Sequence, residues 1–285
     1  MSEIRCFILR SDFVRQNGTK IDFDRNSWCI LSPIEQSIKR KIEAIGVPLK
    51  DWNISINYGI KTGCNEAFII DGETKDALIA QDPKSAEIIR PILRGRDIKR
   101  YSYDFADKWL IATHNGTPTQ ERIKIEDYPA VKMHLDSYYA KITKRDDQGD
   151  TPYNLRCCAY WDDFSKPKIV WKRIGSIIRF AIDEHGVCPL DSVCFLTGNE
   201  NLKYIVGYLN SSFAIKQLLD NSPKTGTGDV IISVQALEPL LIPQCNNRMK
   251  EKIETLVDKI NVETQHQQIQ NEIDLAFRQI LNISE

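Results

Sequence analysis

The chain has 285 residues, 42% hydrophobic and 27% charged, enough for one large domain with its own core. A formal net charge of −1 argues against a nucleic-acid partner unless the cations gather on one face. No run of about 18 apolar residues occurs, and the opening Met1-Ser2-Glu3-Ile4-Arg5 lacks a secretory pattern, so a soluble cytoplasmic protein with no membrane contact is expected.

The first clear element is a helix. Ser32 stands at its N-cap, Pro33 at the first helical position and Glu35 three residues after the cap, and Gly46 marks the end. Ile34, Ile38, Ile42 and Ile45 recur at helical spacing and predict one apolar stripe. Residues 67–70 predict a strand ending at the turn Asp71-Gly72. A second helix is expected over about 82–90, a strand at 109–113, and a third helix after Tyr128-Pro129 with Val131, Leu135, Tyr138 and Ile142 on one face. Residues 168–171 predict a strand, and 177–182 lead into Glu184-His185-Gly186, with 192–196 expected to pair with them. A fourth helix is expected over about 201–219 and a short strand at 230–233. With no βαβ repetition and no internal repeat, the pattern predicts an α+β domain over 1–245 with a mixed or antiparallel sheet.

Pro239 and Pro243 punctuate the junction to 246–285, which has no Gly or Pro and predicts one long C-terminal helix. Met249, Ile253, Leu256 and Ile260 are spaced 4, 3, 4, and after the polar stretch 264–268 the pattern resumes at Ile269, Ile273, Ala276, Ile280 and Ile283. The spacing resembles a heptad seam with one phase slip. It suits packing on its own domain or docking on another helix, in cis or in trans.

The eight cysteines are Cys6, Cys29, Cys64, Cys157, Cys158, Cys188, Cys194 and Cys245. None forms a Cys-x-x-Cys pair, so a zinc site is disfavoured and most are read as small buried hydrophobes. Charge is segregated along the chain. Residues 90–108 carry six cations against three acids, a net of +3, and 156–179 carry six against two, a net of +4. Residues 63–88 carry two cations against six acids, a net of −4.

Motifs for catalysis are weak. Asn221-Ser222-Pro223-Lys224 lacks the second Pro and the aromatic of an amino-methyltransferase base-holding loop. Thr225-Gly226-Thr227-Gly228 precedes a strand rather than following one, and no P-loop occurs. Glu73-Thr74-Lys75, with Asp51 upstream, formally fits half of a metal-dependent nuclease motif but falls at an expected turn tip. Neither a metal site nor catalytic residues are assigned.

Four loops instead combine glycine or aromatic residues with groups suited to phosphates and base edges. The first, 59–65, offers Lys61, Thr62 and Asn65, and the second, 94–101, offers Arg94, Arg96, Lys99 and Arg100. The third offers Lys172 and Arg173 with Arg156 and Tyr160 nearby in sequence, and the fourth offers Lys224, Thr225 and Thr227. His114 and Asn115 sit in a further loop and complete the set of DNA-contact candidates.

Residues 58–70, reading Tyr-Gly-Ile-Lys-Thr-Gly-Cys-Asn-Glu-Ala-Phe-Ile-Ile, resemble the opening of the TaqI-like C-terminal specificity domain of type IIG restriction–modification enzymes. The similarity continues through Arg90-Pro91-Ile92-Leu93-Arg94-Gly95-Arg96-Asp97-Ile98 and resumes at Tyr128-Pro129, at 166–170, at 207–211 and at 240–243, covering almost the whole chain. This resemblance implies a target-recognition domain related to type I specificity subunits. Its partners would be double-stranded DNA and a methyltransferase or endonuclease segment, fused or separate. That segment would carry S-adenosylmethionine and Mg and act on a target adenine, so this chain would need no cofactor and would not itself be an enzyme. Motifs shared by a family with many targets are poor candidates for base choice, so base reading is expected in 113–119 and 145–161. Three rival readings remain: a half specificity subunit that self-associates through its last helix, a metal-dependent nuclease using Glu73 and Lys75, and a protein-interaction module.

Overall fold

The computed structural model describes residues 32–117, 120–198, 201–260 and 266–283. In chain order its helices are α1 (Pro33–Ile45), α2 (Asn65–Phe68), α3 (Gly72–Gln81), α4 (Pro129–Asp136), α5 (Tyr139–Ile142), α6 (Leu202–Leu209), α7 (Ser212–Asn221), α8 (Val234–Leu237), α9 (Asn247–Ile260) and α10 (His266–Ile280). Its strands are β1 (Gly46–Pro48), β2 (Ile54–Tyr58), β3 (Ile69–Asp71), β4 (Ile89–Leu93), β5 (Lys108–Ile111), β6 (Lys168–Lys172), β7 (Ile174–Gly175), β8 (Phe180–Asp183), β9 (Cys188–Pro189), β10 (Val193–Gly198), β11 (Val230–Ile231) and β12 (Leu241–Pro243).

The centre is the antiparallel sheet β2-β10-β6-β8. Successive side chains of a strand point to opposite faces, and here both faces are covered. Ile169, Trp171, Phe180, Cys194 and Leu196 face a helical layer of α6, α7, α9 and α10. Val170, Ala181, Val193 and Phe195 face a second core shared with the sheet β3-β5-β4-β9 and the helices α4 and α5. That second sheet is antiparallel except for the parallel β4–β9 pair. The fold is therefore the expected α+β arrangement of antiparallel and mixed sheets.

Lys168 belongs inside this sandwich, not on a basic face. Its side chain is fully buried, and its Nζ lies 2.6 Å from Asp183 Oδ2 on the neighbouring strand. Asp183 also accepts from the Tyr103 hydroxyl and from the backbone N–H groups of His185 and Val187. A buried charge persists only when paired and fully hydrogen-bonded, and this network meets that condition.

Helix α1 forms with both halves of the expected capping box. Its isoleucine stripe is mostly unburied: Ile42 is covered, whereas Ile34 is 73% exposed. Four local expectations are corrected. The Asp71-Gly72 turn is the start of α3, with Asp71 accepting from Thr74 N–H as its N-cap. Only Leu78 of the side chains in α3 is buried, so its sequence shows no apolar stripe. The expected helix over 82–90 is a short 3₁₀ turn, Pro83–Glu87, followed by β4. The expected helix over 201–219 is divided into α6 and α7 at Asn210-Ser211. There Asn210 bonds both backbone groups of Phe180, and Ser211 caps α7. Strands β8 and β10 do not pair with one another; they flank β6.

The C-terminal segment is helical as expected, and its described residues form two helices packed on each other, α9 and α10. Gly207 lets α9 approach α6: a Cβ there would lie 3.0 Å from Ile253. Phe277 of α10 meets the ring of Tyr208, next along α6, at 4.9 Å. In one continuous helix Ile253 and Phe277 would stand roughly 36 Å apart. The seam is spent on the domain itself, since Ile253, Leu256, Val257, Ile260, Ile269, Ile273, Ala276 and Phe277 are all buried in the helical-side core.

Candidate nucleic-acid interface

Four strand ends meet at one edge of the central sheet. The register pairs Cys194 with Tyr58 and Trp171, and Trp171 with Phe180. The end of β2, the start of β10, the end of β6 and the start of β8 therefore lie side by side, and their loops leave together. Gly59 N–H donates to Val193 O, and Ile60 N–H donates to Pro189 O. A Cβ at Gly59 would overlap the Leu190 carbonyl, so only glycine permits this approach. The 3₁₀ turn Gly95–Asp97 packs here as well: Gly95 N–H donates to Ser192 Oγ, and a Cβ on Gly95 would meet Lys172 Cγ at 2.8 Å. Tyr101 bridges to Ala181 of β8, bringing Arg100 to the same edge. Strands β7 and β11 pair through Val230 and Gly175, which places the Lys224–Asp229 turn beside Lys172.

Loops far apart in sequence thus deliver Lys61, Arg96, Arg100, Lys172, Arg173, Arg179 and Lys224 to one end of the molecule. Among the described residues, Arg96, Arg100, Lys172, Arg173, Arg179 and Lys224 make no ion pair. Unpaired cations on one edge are what a polyanion needs.

A cleft of about 460 Å³ opens beside this edge. One wall is Tyr58–Lys61, the other is 155–161 with Phe164, and Arg173 and Asp191 complete the lining. It gathers Lys61, Arg156, Tyr160 and Arg173 from the expected set. At its rim Asp147 holds both cations, with Lys61 Nζ at 2.7 Å and Arg156 Nη1 at 3.2 Å. Those two partners keep the Asp147 carboxyl below the usual carboxylate range. Burial pushes the Tyr160 hydroxyl up to about 12 and also raises the Cys158 thiol, so both stay protonated near neutrality.

Several expected contacts are buried or already hydrogen-bonded. Thr62 is buried at 1% exposure and donates its hydroxyl to Asn65 Oδ1, so it shapes the loop and leaves the exposed Asn65 as that loop's other polar group. His114 is buried, accepts from Gly116 N–H through Nδ1, and packs on Trp161. Burial lowers its pKa below the ordinary imidazole value. Neither Thr62 nor His114 is open to a duplex. Arg94 spends its fork on Asp97 at 2.7 and 2.8 Å, closing its own turn. Lys99 is exposed and paired with Asp104, and Asn115 exchanges hydrogen bonds with Asp150. Thr225 and Thr227 bond one another within their turn.

The stretches expected to read bases are partly internal. Thr113 is buried with its hydroxyl on Tyr153 O, and residues 118–119 lie outside the described residues. Arg145 is buried, its guanidinium donating to the carbonyls of Ile142, Thr62, Asp147, Pro152 and Asn154. Asp191 and Arg179 join the site from outside the expected set. Arg179 is discernible as a lone cation before β8, whereas nothing local marks Asp191.

A metal-dependent nuclease site is not assembled among the described residues. No group of three or more His, Cys, Asp or Glu is placed to hold a metal ion. Glu73 and Lys75 lie in the first turns of α3, and Lys75 is spent on Asp76 and the Trp109 ring, unlike the strand pair of a nuclease site. The six described cysteines are free; Cys6 and Cys29 lie outside the described residues. No helix among the described residues is long and apolar enough to cross a membrane.

The family model of the TaqI-like C-terminal specificity domain matches residues 90–240, more than half the chain. The chain belongs to this family. It is 23% identical over 230 residues to the type II methyltransferase M.MjaIV of Methanocaldococcus jannaschii, covering 75% of this chain and 72% of that protein. The fold is similar to the type IIL restriction-modification enzyme MmeI, solved in complex with DNA. There the TM-score is 0.62 and the identity 14%, over 85% of this chain and 35% of that one. It is also similar to the type IIG restriction endonuclease BpuSI, with a TM-score of 0.52 and 13% identity over 87% of this chain and 32% of that one. The chain thus spans about a third of the length of each solved enzyme.

Proposed function

We propose that this chain reads a DNA sequence for a restriction–modification enzyme and leaves the chemistry to other segments. The observation that carries this reading is the unpaired set Arg96, Arg100, Lys172, Arg173, Arg179 and Lys224 at one sheet end, in a chain of the specificity-domain family. Phosphates meeting Arg96, Arg100, Lys172, Arg179 and Lys224 would fix the register of the duplex, and the cleft, with Arg173 and its loops, would test base edges. In this account the partner is a methyltransferase or endonuclease segment, fused or separate, in the cytoplasm. It would bring S-adenosylmethionine and Mg, receive the flipped adenine and cut the duplex, while this chain supplies only position.

The test is anisotropy of a labelled duplex titrated with the whole chain between about 50 and 200 mM salt. Contact with about five phosphates predicts a slope of roughly −4 to −5 in log affinity against log salt. The charge-reversing variant Lys172→Glu/Arg179→Glu should lower affinity at low salt and flatten that slope by about two units. Affinity unchanged in this variant would place the interface elsewhere.

A further inference from the structure

Arg173 and Asp191 line the same cleft, yet no ion pair within 4.0 Å joins them, and neither side chain has a hydrogen bond among the described residues. The Arg173 backbone is clamped on both sides: its N–H donates to Ser192 O, and its carbonyl accepts from Ile232 N–H. Its Nε is shut off from solvent without a partner, a cost normally recovered when an acceptor arrives. The cleft therefore holds a fork of donors on an anchored backbone and an unspent carboxylate, beside the aromatic side chains of Tyr160 and Trp161.

We infer that this cleft selects guanine, with Arg173 donating to its O6 and N7 and Asp191 accepting from an amino group beside them. The proposal rests on the DNA-reading function above. A guanidinium fork fits two parallel acceptors, which both a phosphate and the guanine edge provide. Asp191 decides between them. A carboxylate in the same cleft repels a phosphate but accepts from an amino group, which accompanies guanine in either of two sources. In a paired duplex it is the N4 amino group of the opposing cytosine; in an unstacked guanine it is the base's own N1–H and N2 amino edge.

The experiment starts from the duplex that the whole chain retains best from a random pool, and replaces each guanine in turn by 7-deazaguanine, which removes N7 and keeps pairing. One position should lose about tenfold or more in affinity. In Arg173→Lys, which keeps the charge and loses the fork, that substitution should cost nothing further, while the salt slope stays unchanged. Replacing the opposing cytosine by an abasic site separates the sources: weaker binding marks a paired guanine, tighter binding an unstacked one. Affinity insensitive to 7-deazaguanine at every position overturns the inference. So does an Arg173→Lys or Arg173→Ala variant that retains the guanine preference. An Arg173→Ala variant that weakens all duplexes alike and reduces the salt slope by about one unit makes Arg173 a phosphate contact instead. If the wild-type chain binds no duplex at low salt, the DNA-reading function itself fails; a retained but guanine-insensitive motif fails the inference alone.

Discussion

Replacing Arg145 with Ala removes a guanidinium that donates to five backbone carbonyls, from Ile142, Thr62, Asp147, Pro152 and Asn154, at 2.5 to 3.3 Å. It also lies 4.4 Å from the Phe68 ring centroid and is 5% exposed. No carboxylate comes within 4.0 Å of it among the described residues, so its nearest partners are carbonyl oxygens and the Phe68 ring, with Asp147 adding a longer-range attraction. Each dry acceptor left behind costs about 1–3 kcal/mol, and the losses do not add because the loops relax and readmit water. Two to three effective losses give about 3–5 kcal/mol, a large part of a typical domain stability. At this chain length that lowers the melting midpoint by roughly 5–8 °C. Arg145→Lys keeps the charge but loses the fork, and should fall by roughly half as much. Thr62 is next to Lys61, so both variants should also weaken DNA binding through a loosened cleft wall. Differential scanning calorimetry and anisotropy measure the two effects. A midpoint shift below about 3 °C for Arg145→Ala would refute the claim that this residue ties the 59–65 and 145–155 loops together.

Asp147→Asn should release Lys61 and Arg156, raising duplex affinity about two- to tenfold at low salt and steepening the salt slope, as read by anisotropy. Gly59→Ala should destabilise by about 2–4 kcal/mol in chemical denaturation, because its Cβ overlaps the Leu190 carbonyl in the wall of the cleft. Phe277→Ala should cost about 3–5 kcal/mol in the same assay, because its ring is buried against Tyr204 and Tyr208; a mere docking arm would tolerate it. The pH dependence follows from His114, whose Nδ1 must stay unprotonated to accept from Gly116 N–H, and whose ordinary value of 6.5 is lowered by burial and by Arg90 against the pull of Asp162. Below about pH 6.5 the unfolded chain binds a proton that the folded chain resists, so stability should fall as pH drops through and below that value. His114→Asn supplies an acceptor that does not titrate, and should flatten this part of the profile of melting midpoint against pH.

Local punctuation made some of the fold legible. Ser32, Pro33 and Glu35 mark α1 because a capping box is a short-range interaction. The failures are those of tertiary context. α3 buries almost nothing and so leaves no period to read, and α6 and α7 share one apolar pattern that Asn210 interrupts only by reaching Phe180 of β8. The C-terminal pattern predicts one helix because apolar spacing reports which face is buried and not how many helices share it. At the site, glycine and cation loops were visible as separate stretches, and residues 90–108 and 156–179 carried the right excess of charge. Sequence alone does not separate Lys168, fully buried against Asp183, from Lys172, exposed at the sheet end four residues later. The same limit applies to Asp191, which only the fold brings into the cleft with Arg173.

The most direct test of the central claim is selection of the whole chain against a pool of random duplexes at moderate salt, with sequencing of the retained fraction. The account predicts one short enriched motif, with affinity that falls steeply as salt rises. A retained fraction indistinguishable from the input pool, whatever the salt, would contradict it.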